Sequence, residues 1–139
     1  MLFRSNITLP KNEVDVLIIG HGSKDPNARL SIDYVVDGLK GTYRNIERCF
    51  LEIEEPDIPA GIRSFDQKNP KVLVMVFYFL HEGAHVKTDI NLDLLPALEK
   101  SNIKQAFQTE HIGTDMIMVD LILERAREVE SAPVLKIKS

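Results

Sequence analysis

A doubly wound α/β fold is the architecture this sequence predicts, with a four-stranded parallel sheet flanked by helices on both faces. Three observations carry it. Short apolar runs alternate four times with segments of helical periodicity, and no hairpin turn chemistry separates successive runs. The third observation is one unusually pure run, residues 72–80, which reads Val-Leu-Val-Met-Val-Phe-Tyr-Phe-Leu. It is too short to cross a bilayer and about right for a strand buried on both faces. At 139 residues the chain is long enough for one domain with a substantial core.

Each element has its own local signals. Residues 1–13 show little periodicity, contain Pro10 and read as a loose N-terminal arm. The domain spans residues 14–130 and begins with an apolar strand over 14–19, which stops at Gly20-His21-Gly22-Ser23. Asp25-Pro26 then offers an N-cap with proline at the first helical position. Ala28, Ile32, Val35, Val36 and Leu39 follow at helical spacing, and Gly41 supplies the stop. Residues 46–53 read as the second strand, made less purely apolar by Glu47, Arg48 and Glu52. Glu54-Glu55-Pro56-Asp57 opens the next helix with acids near its positive end, Ile58, Ile62 and Phe65 form its apolar stripe, and Asn69-Pro70 ends it.

The long apolar run is the third strand. Its helix extends through Lys100 with Ile90, Leu94, Leu95 and Leu98 turned inward, and Pro96 is expected to kink or shorten it. The fourth strand lies near residues 103–109. Asp115 then caps a helix carrying Ile117, Met118, Leu121, Ile122 and Arg125. Residues 131–139 read as a flexible tail. The sequence contains no linker, low-complexity segment or internal repeat.

Composition narrows the functional classes. The 44% hydrophobic and 27% charged content is that of an ordinary soluble globular protein. A net charge of −4 argues against nonspecific nucleic-acid binding and against an anionic membrane surface. The single cysteine, Cys49, cannot form an internal disulfide, so a reducing cytoplasm is the expected location. Met-Leu-Phe-Arg-Ser-Asn lacks the apolar core of a signal peptide, and no run reaches membrane-spanning length.

Right-handed crossovers bring the strand C-termini to one edge, where open α/β sheets form their ligand crevice. That edge receives residues 20–23, 52–55, 81–85 and 110–114, so His21, His81, His85 and His111 all fall at or just beyond strand ends. Random scatter of four histidines would rarely do this. A lone histidine after a strand is ordinarily a hydrogen-bonded loop residue, but two on different strands of one edge shift the balance toward function. Glu52 and Glu55 could equally be solvated acids, Gly22 and Ser23 could be turn chemistry, and Cys49 within a strand reads as packing. Asp89, four residues after His85, could orient an imidazole or simply favour an early helical turn.

Several chemistries lack support. Gly20-His21-Gly22-Ser23 is neither a dinucleotide fingerprint nor a phosphate loop with its lysine, so no nucleotide is expected. Ser23 lacks the Gly-x-Ser-x-Gly elbow, and there is no paired Cys-x-x-Cys for zinc or an iron–sulfur cluster. Imidazole with carboxylate remains, a donor set suited to borderline divalent metals such as cobalt, nickel, iron or zinc.

Four pieces in register carry a family resemblance: Gly20-His21-Gly22-Ser23; Phe50-Leu51-Glu52 with Glu55-Pro56; Phe79-Leu80 with Gly83-x-His85 and Asp89-Ile90; and Ile112-Gly113 with Asp120-x-x-x-Glu124-Arg125. The resemblance in order and spacing runs through residues 14 to about 127. The chain resembles the small, single-unit, archaeal-type sirohydrochlorin chelatases, which insert cobalt or nickel into sirohydrochlorin. The resemblance implies the chelatase-like α/β domain, a homodimer, and a metal held by His21 and His85, with Glu52 as a further catalytic candidate. It implies insertion without ATP of a divalent metal that is itself a substrate, cobalt first, nickel next and iron possible. The alternative is a tetrapyrrole- or metal-binding carrier of the same fold without turnover.

Gly22, Ser23, Lys24, Phe79, Leu80 and Gly83 are the substrate-binding candidates, with Asp89 and His81 auxiliary. Backbone N–H groups near Ser23 and Val86, with Lys24, Arg29 and Lys87, are candidate partners for the many carboxylates of such a substrate. A one-unit chain leaves a broad, open edge, and dimerisation would wall it. Phe77 stands where the family often has proline, His81 is an additional histidine, and the histidine-rich insertion of some nickel-inserting relatives is absent.

Overall fold

In the computed structural model, residues 9–81, 83 and 86–137 are described; Glu82, Ala84 and His85 lie outside that set. Four strands, β1 (Val14–Gly20), β2 (Asn45–Phe50), β3 (Val72–Phe77) and β4 (Gln105–Gln108), form one parallel sheet in the order β2-β1-β3-β4. Helices α1 (Arg29–Leu39), α2 (Ile58–Arg63), α3 (Val86–Glu99) and α4 (Met116–Glu128) follow the strands in turn. The expected strand–helix order is therefore the observed one. β1 is central and buried along its whole length, paired through Ile19↔Cys49 on one side and Ile19↔Phe77 on the other.

The period-two alternation of the strands splits the core into two layers. Leu17 and Ile19 of β1, Cys49 of β2 and Leu73, Met75 and Phe77 of β3 face Ile58, Ile62 and Phe65 of the α2 segment and Ile90 and Leu94 of α3. Each such fully buried side chain contributes roughly 1.5–3 kcal/mol of burial. Val16 and Ile18 point the other way, with Phe50, toward Ile32 of α1. Asp15, fully buried near the start of β1, accepts hydrogen bonds from Arg44 Nη1 and Asn45 Nδ2, both at 2.9 Å. This polar staple closes the end of the sheet away from the strand C-termini.

Local caps behave as their chemistry dictates. Asp25 accepts from Asn27 N and caps a 3-10 turn, Pro26–Ala28, that leads into α1. Asp57 and Asp115 accept from Ala60 N and Ile117 N at the starts of α2 and α4. Cys49 is buried, and burial, reinforced by the nearby Asp57 charge, pushes its thiol up to about 12, consistent with a packing role.

Three expectations need correction. β2 ends at Phe50 and not at Ile53, because Gly20, its last partner, ends there and the chain bends with Ile53 at φ 71°. β3 ends at Phe77, so Tyr78, Phe79 and Leu80 are apolar loop residues and not strand. α3 runs through Pro96 to Glu99, so the proline, on an exposed position, does not end it, and Leu95 is 55% exposed, not turned inward. α4 forms where its cap and periodicity place it, but buries none of its residues; Ile117, Leu121 and Ile122 are exposed. Beyond it, a 3-10 turn at Val129–Ser131 leads to exposed residues without regular structure through 137.

Candidate functional site at the strand C-termini

Beyond the strand ends, the loops continue to pair. Leu51 N donates to Gly20 O at 2.9 Å and Glu52 N to His21 O at 3.1 Å, extending the β1–β2 ladder into the first edge loops. Thr109 N donates to Met75 O and Ile112 N to Phe79 O, tying the loop after β4 to β3 and to the loop that follows it.

Two glycines allow these crossings. Gly22 has φ 103°, and a Cβ there would stand 1.8 Å from the Glu52 carbonyl oxygen. A Cβ on Gly113 would stand 1.6 Å from the Leu80 carbonyl oxygen. No side chain fits either crossing, so each glycine fixes how closely two edge loops approach.

The first crossing brings His21 and Glu52 together. His21 Nε2 lies 3.4 Å from Glu52 Oε1, and both side chains are more than half exposed. Two donors at that separation, each bonded at about 2.1 Å, would subtend about 110° at a shared ion, close to the tetrahedral angle. Among the described residues no group of three or more histidine, cysteine, aspartate or glutamate side chains is placed to hold a metal. His21 and Glu52 are thus an exposed imidazole–carboxylate pair at the open edge.

Beside the pair, His21, Phe79, Leu80, His81, Gly83 and Val86 line a cavity of about 370 Å³. Phe79 is half-buried and stacks on Phe77 with ring centroids 5.8 Å apart, giving the cavity an aromatic wall. This wall is built from the apolar residues that the sequence reading assigned to the strand. His81 thus shares a cavity with His21. His85 lies outside the described residues, so its predicted place opposite His21, and its relation to Asp89, are not part of this geometry. Asp89 itself is exposed in the first turn of α3.

On the other flank, Ser23, Lys24, Arg29, Ile53, Glu54 and Glu55 line a polar recess of about 410 Å³. Glu54 organises it. Its side chain is 11% exposed, accepts from Ser23 N at 3.2 Å and pairs with Arg29 Nε at 3.0 Å. The Ser23 amide and the Arg29 Nε are thus already engaged, which leaves exposed Lys24 as the more available cation of this flank. Sequence reasoning passed over Glu54 as one of two helix-opening acids. No periodicity marks it, because its role depends on a partner 31 residues away. Gly113 belongs to the Ile112-Gly113 motif, and its crossing over Leu80 is a contact that only the tertiary structure makes. His111 stands apart from His21: its Nε2 is 3.3 Å from Thr114 Oγ1, and it lines a separate cavity with Val76, Ile112, Ile117 and Met118.

Comparison with known proteins agrees with this architecture. The CbiX family profile matches residues 15–129. The chain is 29% identical over 118 residues to a sirohydrochlorin cobaltochelatase of Sulfolobus acidocaldarius, covering 85% of this chain and 94% of that protein. It is 27% identical over 118 residues to a sirohydrochlorin ferrochelatase of Priestia megaterium, covering 81% of this chain but 43% of that one. Among solved structures, the sirohydrochlorin chelatase SirB from Bacillus subtilis subspecies spizizenii in complex with cobalt superposes with a TM-score of 0.74 at 24% identity, over 84% of this chain and 51% of SirB. The chain thus spans about half of these two longer proteins and nearly all of the archaeal one. With its profile match reaching from β1 through α4 and its fold shared with a chelatase, this chain belongs to the CbiX family.

Proposed function

We propose that this protein is a sirohydrochlorin chelatase, a lyase of tetrapyrrole biosynthesis that inserts a divalent metal into sirohydrochlorin without ATP. Cobalt is its first metal and nickel its next, with iron as a third candidate. It works as a cytoplasmic homodimer that engages neither nucleic acid nor membrane. The observation that carries this reading is the His21–Glu52 pair, 3.4 Å apart beside an aromatic-walled cavity on the open edge. Family membership and the names of the relatives support it. Two relatives of this kind are named for different metals, so the choice of metal rests on the greater resemblance to the archaeal cobaltochelatase.

Insertion replaces two pyrrole N–H protons by one metal ion, so the site must deliver the ion with open positions and accept two protons. His21 and His85 hold the ion through imidazole nitrogens and leave the remaining positions to the macrocycle. Glu52, or a histidine not bound to metal, accepts the pyrrole protons. Phe79 and Leu80 offer the apolar face of the cavity to the ring, and Gly83 leaves room at its mouth. Lys24 and Lys87, with backbone N–H groups at the start of α3 near Val86, meet the peripheral carboxylates. Gly22 and Ser23 act by shaping the His21 loop, and His81 and Asp89 serve as auxiliaries.

The test is metal insertion followed by the absorbance change of sirohydrochlorin, with cobalt, nickel and iron compared side by side. His21→Ala and His85→Ala are each expected to abolish insertion while the far-ultraviolet circular dichroism stays native. His81→Ala is expected to have a milder effect. Wild-type rates in either of the first two variants would overturn the assignment, and stoichiometric uptake without turnover would identify a carrier instead.

A further inference from the structure

Ile53 is held in a conformation that its own chemistry disfavours. Its φ is 71°, and Glu54 N donates to Glu52 O at 2.8 Å across it, the hydrogen bond of a three-residue γ-turn with its central residue at positive φ. A β-branched residue is an outlier there, and such strain persists only where the surroundings over-determine it. Packing of its own side chain does not supply that constraint, because Ile53 is 59% exposed.

The constraint comes from the facing loop. On one side of the turn Glu52 N donates to His21 O at 3.1 Å, and on the other the Glu54 carboxylate accepts from Ser23 N at 3.2 Å. Residues 52 and 54 therefore grip residues 21 and 23, with Gly22, at φ 103°, between the two grips. The first grip is a single backbone bond. The second uses both carboxylate oxygens: Oε2 receives the Ser23 amide, and Oε1 pairs with Nε of Arg29, the first residue of α1, at 3.0 Å. At 11% exposure this is a charge-assisted clamp shielded from solvent.

Glu52 depends on the turn that the clamp holds. Its side chain is 57% exposed and, among the described residues, its carboxylate meets only His21, 3.4 Å away. No second partner aims that carboxylate, so its backbone must. We infer that Glu54 is a positioning residue of the reaction: its clamp on Ser23 and Arg29 holds Ile53 in the strained turn, and the turn aims Glu52 at His21. The inference deepens the chelatase reading above and rests on it for the role of Glu52. Released from the clamp, Ile53 relaxes toward negative φ, and the Glu52 backbone turns with it.

The test is a double-mutant cycle on the full chain, comparing wild type, Glu54→Ala, Ile53→Gly and the double variant. Each is read by urea unfolding without substrate and by steady-state metal insertion. Glycine adopts φ 71° without strain, so Ile53→Gly removes the load that the clamp carries. Glu54→Ala is expected to raise the unfolding equilibrium constant at least about 10-fold more in the wild-type background than in the Ile53→Gly background. In insertion, Glu54→Ala is expected to lower kcat by at least about 10-fold with KM unchanged. Adding Ile53→Gly is expected to restore most of that loss. Glu54→Gln keeps an acceptor for the Ser23 amide and is expected to lose less; it replaces Glu54→Ala in the cycle if the alanine variant does not fold.

Equal effects of the Glu54 substitution in both backgrounds would overturn the inference, since the clamp would then stabilise the loop without holding the turn. A change in KM alone would overturn it too, because Glu54 would then act through its charge on the ligand. A wild type that inserts no metal refutes the chelatase reading, and the unfolding cycle still decides whether Glu54 holds the turn. A wild type that inserts metal with an additive cycle refutes the positioning role alone.

Discussion

Replacing Gly22 by alanine tests whether the crossing of the first two edge loops builds the site. At φ 103° an L-residue is strained whatever the space around it, a penalty on the order of 1–3 kcal/mol. The added Cβ would also stand 1.8 Å from the Glu52 carbonyl oxygen, where even the tightest real contacts keep 3.0 Å. One loop must therefore retreat by on the order of 1 Å, a displacement that can cost about 100-fold in rate when it misplaces reacting groups. The retreat would break the Glu52 N–H bond to His21 O and part His21 Nε2 from Glu52 Oε1.

Gly41→Ala is the control. It has φ 85°, nothing within 4 Å of its Cβ, and a position after α1 at the opposite end of the sheet. Both variants are expected to lose stability by about 1–3 kcal/mol in urea unfolding. Only Gly22→Ala is expected to lose insertion, by about 100-fold, with native secondary structure. Undiminished insertion in Gly22→Ala, or an equal loss in Gly41→Ala, would refute the reasoning.

Two further predictions concern the fold. Asp15→Ala removes the buried acceptor of Arg44 and Asn45 and is expected to destabilise the protein by about 3 kcal/mol, the low end for a broken buried pair because Arg44 is 32% exposed. Unfolding midpoints would show it, and insertion per folded molecule should be unchanged, since the staple lies at the far end of β1. Cys49 provides a pH test: with its thiol near 12 in the native state against 9.0 unperturbed, the unfolded chain loses the proton first. Stability from this group is therefore complete below about pH 9 and lost as pH rises toward 12. Unfolding free energy should fall more steeply above pH 9 in the wild type than in Cys49→Ala, and parallel slopes would contradict the burial argument.

Much of the fold was legible locally. The caps at Asp25 and Asp115 are short-range hydrogen bonds encoded within a few residues, and Ile58, Ile62, Phe65, Ile90 and Leu94 repeat at the helical period that buries them. The gathering of strand ends followed from the handedness of parallel crossovers, which requires no knowledge of individual contacts. Tertiary structure decided the rest. Periodicity records which residues are apolar and not what covers them, so it could not tell the cavity wall at Phe79 and Leu80 from strand, or exposed α4 from a core helix. Nor could local sequence pair Gly22 with the Glu52 carbonyl or Glu54 with Ser23 and Arg29. Those contacts join residues roughly 25 to 31 positions apart, and only the β1–β2 register brings them together. The sequence by itself determined the order of elements and the edge where His21 lies; the approach of Glu52 to His21 was set by the register and by the absence of a side chain at Gly22.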